Sequence, residues 1–150
     1  MLRTLLLAAL VAVCLSEKVR RMPNEGASNL SKHADLLATL DGHPNEKIIR
    51  EFLMKPTQIP QIILFEHGSY TGAYQIHTKS TENLHDSEFG FGDRLDSCIV
   101  KEGNWMLYED GYYTNRMYVV EVGDYPDPQS WLGSSDGISS MRLLPCAGCE

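Results

Sequence analysis

The stretch IILFEHGSYTG, residues 62–72, returns 43 positions later as WMLYEDGYYTN, residues 105–115. The correspondence continues without a gap. Phe65 matches Tyr108, Glu66 matches Glu109, Gly68 matches Gly111 and Tyr70 matches Tyr113. Further along, Gly72 matches Asn115, Gly90 matches Gly133, Asp93 matches Asp136 and Ser97 matches Ser140. A fixed period kept at glycines and turn formers means that one supersecondary unit is built twice. Any fold for this chain must therefore contain two like halves between about residues 60 and 145.

The composition of that unit is β-type. Runs such as IILFE and WMLYE are short and apolar, and Gly, Asn, Asp and Pro punctuate the chain between them. Gly72 and Asn115 are residue types that tolerate a left-handed backbone. An aromatic seven positions before each, Phe65 or Tyr108, suggests a folded hairpin whose ring packs back over its own turn. Ser97 and Ser140 stand 32 positions after those aromatics and are placed to hydrogen-bond into the hairpins. Roughly four antiparallel strands per unit with one long return make a Greek key, and two Greek keys packed face to face make a β-sandwich. The expectation is an all-β domain over 57–145, with the first key at about 60–100 and the second at about 101–145. The second key carries extra aromatics, Trp105, Tyr118, Tyr125 and Trp131, and its indoles are expected in the core.

The residues before the repeat are of another kind. Residues 1–16, MLRTLLLAALVAVCLS, fit a secretory signal peptide, and the apolar run is short for a membrane span. Export places the protein outside the cell. Residues 17–30 read as a flexible lead with an Asn29-Leu30-Ser31 glycosylation sequon. Residues 31–42 and 45–56 show helical spacing of Leu36, Leu37 and Leu40, then of Ile48, Ile49, Phe52 and Leu53. Ser31 and Asn45 are the candidate caps, and Pro56 stops the second helix. Their apolar sides need a partner, either the following domain or another chain. A removable pro-segment over 17–56 is an open alternative, with KVRR at 18–21 as its processing site.

A net charge of -7 argues against nucleic acid as a partner, since phosphates demand a basic face. Cys14 belongs to the signal sequence, leaving Cys98, Cys146 and Cys149. In an oxidising compartment one pair is expected, within the 146–150 tail or reaching Cys98, with one thiol left free or bridging to another chain. The CAGC tail lacks the helix start of a redox site.

Beyond these readings, the chain resembles the βγ-crystallin family. The resemblance rests on the repeated pattern of an aromatic, six residues, Gly and a later Ser, and on GDYPD, Trp131-Leu132-Gly133 and RLLP in the second half. It covers about 60–145 and leaves out the signal sequence, the helical lead and the tail. It implies calcium binding at one motif per key: Asn/Asp, Asn/Asp, two residues, Ser/Thr, Ser. The matching stretches are GDRLDS, 92–97, and SDGISS, 135–140. Asp93 and Asp136 keep the second position; the fifth is Asp96 in one copy and Ser139 in the other. The first departs in both, to Gly92 and Ser135. The family's clamps cross over, so each ion would draw on both motifs, with backbone carbonyls near Glu66 and Glu109 completing the shell. These donors are hard oxygens at turns, which suits calcium; the competing reading is that they are turn formers alone.

The implied role is a secreted, non-enzymatic, calcium-binding or structural domain. The alternative, also from the resemblance, is a secreted defence, toxin-associated or protease-inhibitor-like module. It would act through protein contacts or a homodimer made by the helices or a free Cys. GSSDG at 133–137 has the letters of a nucleophile elbow, but a β repeat lacks the strand-turn-helix setting that chemistry needs. The five histidines show no metalloprotease spacing and no carboxylate pairing, and each is expected at the surface.

Overall fold

The computed structural model describes residues 29–86, 90–131 and 137–145. The expected signal sequence and the lead up to Ser28, Ser135, Asp136, the GSSD stretch and the cysteine tail lie outside them. Two helices come first, α1 (Ala34–Thr39) and α2 (Glu46–Met54). Seven strands follow: β1 (Gln61–His67), β2 (Thr71–His77), β3 (Ser97–Glu102), β4 (Trp105–Asp110), β5 (Thr114–Val120), β6 (Gly123–Tyr125) and β7 (Ser140–Leu143). They form two antiparallel sheets, ordered β2-β1-β3-β6 and β5-β4-β7.

The sheet order shows how the two halves become one domain. Strand β6 belongs to the second repeat but pairs with β3 of the first, Ile99 opposite Asp124. Thr81 of the first repeat crosses the other way and bridges to Met141 of β7. Each half lends a segment to the other's sheet, so neither sheet is complete alone. Between the sheets Ile62, Leu64, Cys98 and Val100 meet Trp105, Leu107, Val120 and Met141, with Leu84, Phe91, Leu95, Trp131 and Ile138 closing the core from the connections. Both indoles are buried, as expected for core positions.

A β-strand alternates its side chains between faces, so a strand buried on one face alternates apolar with polar. In β1 four consecutive residues, Ile62 to Phe65, have no exposure. Ile62 and Leu64 face the second sheet, whereas Ile63 and Phe65 face outward together with Ile99 of β3. The helices cover that outer face: Leu36, Leu40, Ile49, Phe52 and Leu53 pack on Ile63, Phe65, Tyr70 and Ile99. The partner of the helical apolar sides is thus the chain's own first sheet.

Polar contacts fasten this layer. Buried Lys101 donates its ammonium to the carbonyls of Phe52 and Lys55 at the end of α2. Those are carbonyls that the helix leaves unpaired. The Lys101 charge also lies 5.3 Å from the Phe52 ring centre. Desolvation pulls the Lys101 pKa below the ordinary lysine value. Asn29 donates to Glu102 at 2.8 Å from the very nitrogen a glycan would take.

Several expectations are corrected here. Neither helix has a side-chain N-cap bond. His33, not Ser31, stands at the N-cap of α1. Asn45 does stand at the start of α2, but its amide donates to the carbonyls of Tyr70 (2.8 Å) and Gly72 (3.1 Å), tying the helix to the β1-β2 turn. Cys98 is free and fully buried between the sheets, so it neither pairs with the tail nor reaches another chain. Burial pushes its thiol pKa up, further from reactivity. The histidines are not all surface residues: His33 is 1% exposed and its Nδ1 meets the Asp124 carboxylate. His85 also stands beside a carboxylate, Asp93. The partner of His33 lies far along the chain, whereas His85 meets Asp93 across the turn that the intervening residues make. Among the described residues no helix is long and apolar enough to cross a membrane.

Candidate functional site

The two hairpins that the repeat announces are built alike. Tyr70 and Tyr113 adopt left-handed φ values of 62° and 61°, and Gly72 and Asn115 follow at 79° and 66°. The aromatic expected to fold back does so, Phe65 with Tyr70 at 5.8 Å and Tyr108 with Tyr113 at 5.7 Å between ring centres. The late serines clasp these turns. Ser97 Oγ accepts from the Tyr70 amide at 2.9 Å and donates to the His67 carbonyl at 2.6 Å. Ser140 Oγ accepts from the Tyr113 amide at 3.0 Å and donates to the Asp110 carbonyl at 2.5 Å. Each serine fills two backbone valences that a folded hairpin cannot fill itself.

The residues just before the serines form the candidate cation motifs. The Asp96 amide donates to the Phe65 carbonyl at 3.1 Å, and the Ser139 amide donates to the Tyr108 carbonyl at 2.9 Å, one repeat later. These bonds seat each motif against the strand that begins its own hairpin. Asp93 then crosses to the other copy. Its amide donates to the Ile138 carbonyl at 3.2 Å, and its carboxylate accepts from the Ser139 hydroxyl at 2.6 Å. Asp93 holds a left-handed φ of 57°. Gly137 passes so close that a Cβ there would lie 2.5 Å from the Asp93 Cα. The approach requires glycine at that position.

The six candidate residues therefore separate. Asp93 and Ser139 come together from opposite repeats. Asp96 is exposed and lies against the Phe65 carbonyl, while Asp136 lies outside the described residues. Glu66 pairs its carboxylate with Arg94, and the Glu109 carboxylate accepts from the Tyr118 hydroxyl at 2.6 Å. Their side chains are engaged, so their contribution to a shell would come from the main chain nearby. Among the described residues no three His, Cys, Asp or Glu side chains converge on a metal position. The crossed clamp instead offers one carboxylate, one hydroxyl and carbonyls.

Residues beyond that set were not legible in the motif. His85 Nε2 lies 3.2 Å from Ser139 Oγ and 3.5 Å from Asp93 Oδ2. Its ring is seated against Gly92, where an added Cβ would fall 2.3 Å from ring atoms. The loss of a side chain at position 92 was the available signal that something else occupies that space. His77, the last residue of β2, is half-buried between Thr81 and Gln75 at 3.2 and 3.1 Å, and desolvation lowers its pKa to about 4.

Two Greek keys that exchange strands, clasp their hairpins with paired serines and cross their turn motifs define the double-key β-sandwich class. Residues 61–144 match the Beta/Gamma crystallin family model. The chain belongs to that family, whose members are generally structural rather than enzymatic. It is 36% identical to mouse gamma-crystallin D over 88 residues, 59% of this chain and 48% of the relative. It is 49% identical to rat gamma-crystallin C over the same share of both chains. The chain thus spans about half the length of the curated relatives it matches. Among solved structures, the beta gamma crystallin of Ciona intestinalis is similar at 33% identity and a TM-score of 0.53, covering 56% of this chain and 99% of that one. A betagamma-crystallin from an archaeon is similar at 26% identity and a TM-score of 0.54, covering 58% of this chain and all of the other.

Proposed function

We propose that this chain is a secreted, non-enzymatic βγ-crystallin-type domain whose stability is coupled to calcium at its crossed turn motifs. The observation that supports the reading most is the Asp93–Ser139 contact of 2.6 Å, which joins the second position of one motif to the fifth of the other. Calcium prefers six to eight hard oxygens. Asp93, Ser139 and the carbonyls around Tyr108 are donors of that kind. Binding to the folded state alone would raise stability with the logarithm of calcium concentration. The short apolar leader at 1–16 supports export. Calorimetric titration of the metal-stripped full-length chain tests the reading, with Asp93→Ala plus Asp136→Ala as control. Saturable heat that the control lacks is expected; no heat up to millimolar calcium from a folded chain refutes it.

The second reading, action through protein contacts, is favoured by one observation. Tyr74 and Ile76 on β2 are exposed, and so are their repeat counterparts Met117 and Val119 on β5. Homodimerisation through these faces is expected to disappear in sedimentation velocity on Ile76→Ser plus Val119→Ser. A monomeric parent chain overturns it.

A further inference from the structure

The Asp93–Ser139 clamp differs from an all-oxygen calcium shell in one respect: an imidazole nitrogen stands in it. We propose that this clamp binds a divalent ion of the zinc type through His85 Nε2, the Asp93 carboxylate and the Ser139 hydroxyl. The inference rests on reading the clamp as a cation site and assigns it a different metal class.

Three distances carry the proposal. His85 Nε2 is 3.2 Å from Ser139 Oγ and 3.5 Å from Asp93 Oδ2. Ser139 Oγ donates to the other Asp93 oxygen at 2.6 Å. Zinc takes nitrogen and oxygen ligands at about 2.0–2.2 Å in tetrahedral geometry, so two of its ligands stand about 3.4 Å apart. The nitrogen already holds that separation from both oxygens. The Ser139 hydroxyl keeps its own proton, directed at Asp93 Oδ1, so in the metal-free clamp His85 Nε2–H donates to Ser139 Oγ. On binding, the imidazole passes to its Nδ1–H tautomer, which frees the Nε2 lone pair for the ion without a net loss of protons. Calcium and magnesium are held by oxygen, whereas imidazole suits zinc, copper and nickel.

The backbone builds this arrangement from three segments. The Leu84 amide donates to the Ser139 carbonyl at 2.8 Å, which brings the neighbouring His85 to the second motif. The His85 amide donates to the Asn83 side chain at 3.0 Å. Gly92 lets the ring lie flat against the chain, since a Cβ there would meet three ring atoms at 2.3–2.4 Å. Asp93 is the next residue, fixed by its bond to Ile138 and by the close passage of Gly137. Ser139 is 4% exposed, while His85 and Asp93 side chains are 49% and 57% exposed. The protein holds one side of the ion and leaves the remaining positions to water, which makes this a modest site rather than a structural zinc centre.

The test is a calorimetric titration of the full-length chain with Zn2+, then with Ca2+. Cys146→Ser and Cys149→Ser are introduced in every version so that tail thiolates take no metal. Co2+ serves as the visible probe, since its absorption is intense only with four or five ligands. One zinc site per chain is expected, weakened at least tenfold by His85→Ala and by Asp93→Asn. The cobalt bands are expected to vanish in His85→Ala and to be displaced by Zn2+ in the parent. The urea midpoint of metal-free His85→Ala is measured first, so that every metal titration is compared on folded protein. Calcium heat retained in His85→Ala with zinc heat lost separates the two metals and supports the proposal. Zinc affinity within twofold of the parent in His85→Ala overturns it. No zinc binding beside normal calcium binding also overturns it and leaves the calcium reading standing. Zinc binding through His85 with no calcium binding sustains it and removes the calcium reading.

Discussion

Replacing Ser97 by Ala removes the clasp of the first hairpin, and the structure gives its cost. Ser97 is fully buried and fills two backbone valences, the Tyr70 amide and the His67 carbonyl. Tyr70 is 7% exposed beneath the helices, so its amide gains no water when the hydroxyl goes. An unsatisfied buried donor costs about 1–3 kcal/mol. His67 is exposed, and its carbonyl turns to solvent with little loss. Tyr70 must still hold a φ of 62° with less to hold it there, which adds about 1 kcal/mol of strain no longer offset. The total is about 2–4 kcal/mol. Ser140→Ala is the internal control. The same two bonds are lost, but Tyr113 is only half-buried and Asp110 is exposed, so water replaces much of what goes. About 1 kcal/mol is expected there. Urea unfolding of both variants, with unchanged slope, measures the difference. If Ser140→Ala costs as much as Ser97→Ala, or if Ser97→Ala costs less than about 0.5 kcal/mol, burial of the Tyr70 amide is not what the serine relieves.

Three further outcomes are expected. Deleting residues 1–56 uncovers Ile63, Phe65 and Ile99; the truncated chain should bind a hydrophobic dye and self-associate, and a monomeric, dye-silent product would show that the helices are dispensable. His77 holds a pKa of about 4 against an ordinary 6.5. The unfolded chain therefore binds the proton first, and stability should fall as pH drops from about 6.5 to about 4. His77→Gln should flatten that part of the stability profile, and an unchanged profile would remove the desolvation argument. Cys98 should resist thiol reagents in the folded chain and react at the rate of global unfolding, because it lies between the sheets with a raised pKa. Fast labelling of Cys98 in native buffer, identified by peptide mapping, would contradict that placement.

The repeat made the architecture legible because its chemistry is local. Left-handed positions at Gly72 and Asn115, rings five residues from the tyrosines they meet, and one serine per key are requirements of a single hairpin, written twice at one spacing. The two helices were legible for the same reason, through their apolar period. The continuous burial of Ile62 to Phe65 was present in the sequence too, as an apolar run with no alternation.

What covers the outer half of that run was decided in three dimensions, where α1 and α2 meet β1 and β3. The same is true of Asn45, which local pattern assigns to a cap and the fold assigns to the Tyr70 and Gly72 carbonyls. His33 with Asp124, Lys101 with the end of α2, and His85 with Ser139 join residues far apart in the chain. Periodicity and turn chemistry act over a few residues, and so the sequence alone determined the two Greek keys and the helices. Which partners meet depends on how the keys exchange strands and how the helices dock, which no short stretch encodes. That is why the crossed clamp's two motifs could be named in advance, while the imidazole that stands in one of them could not.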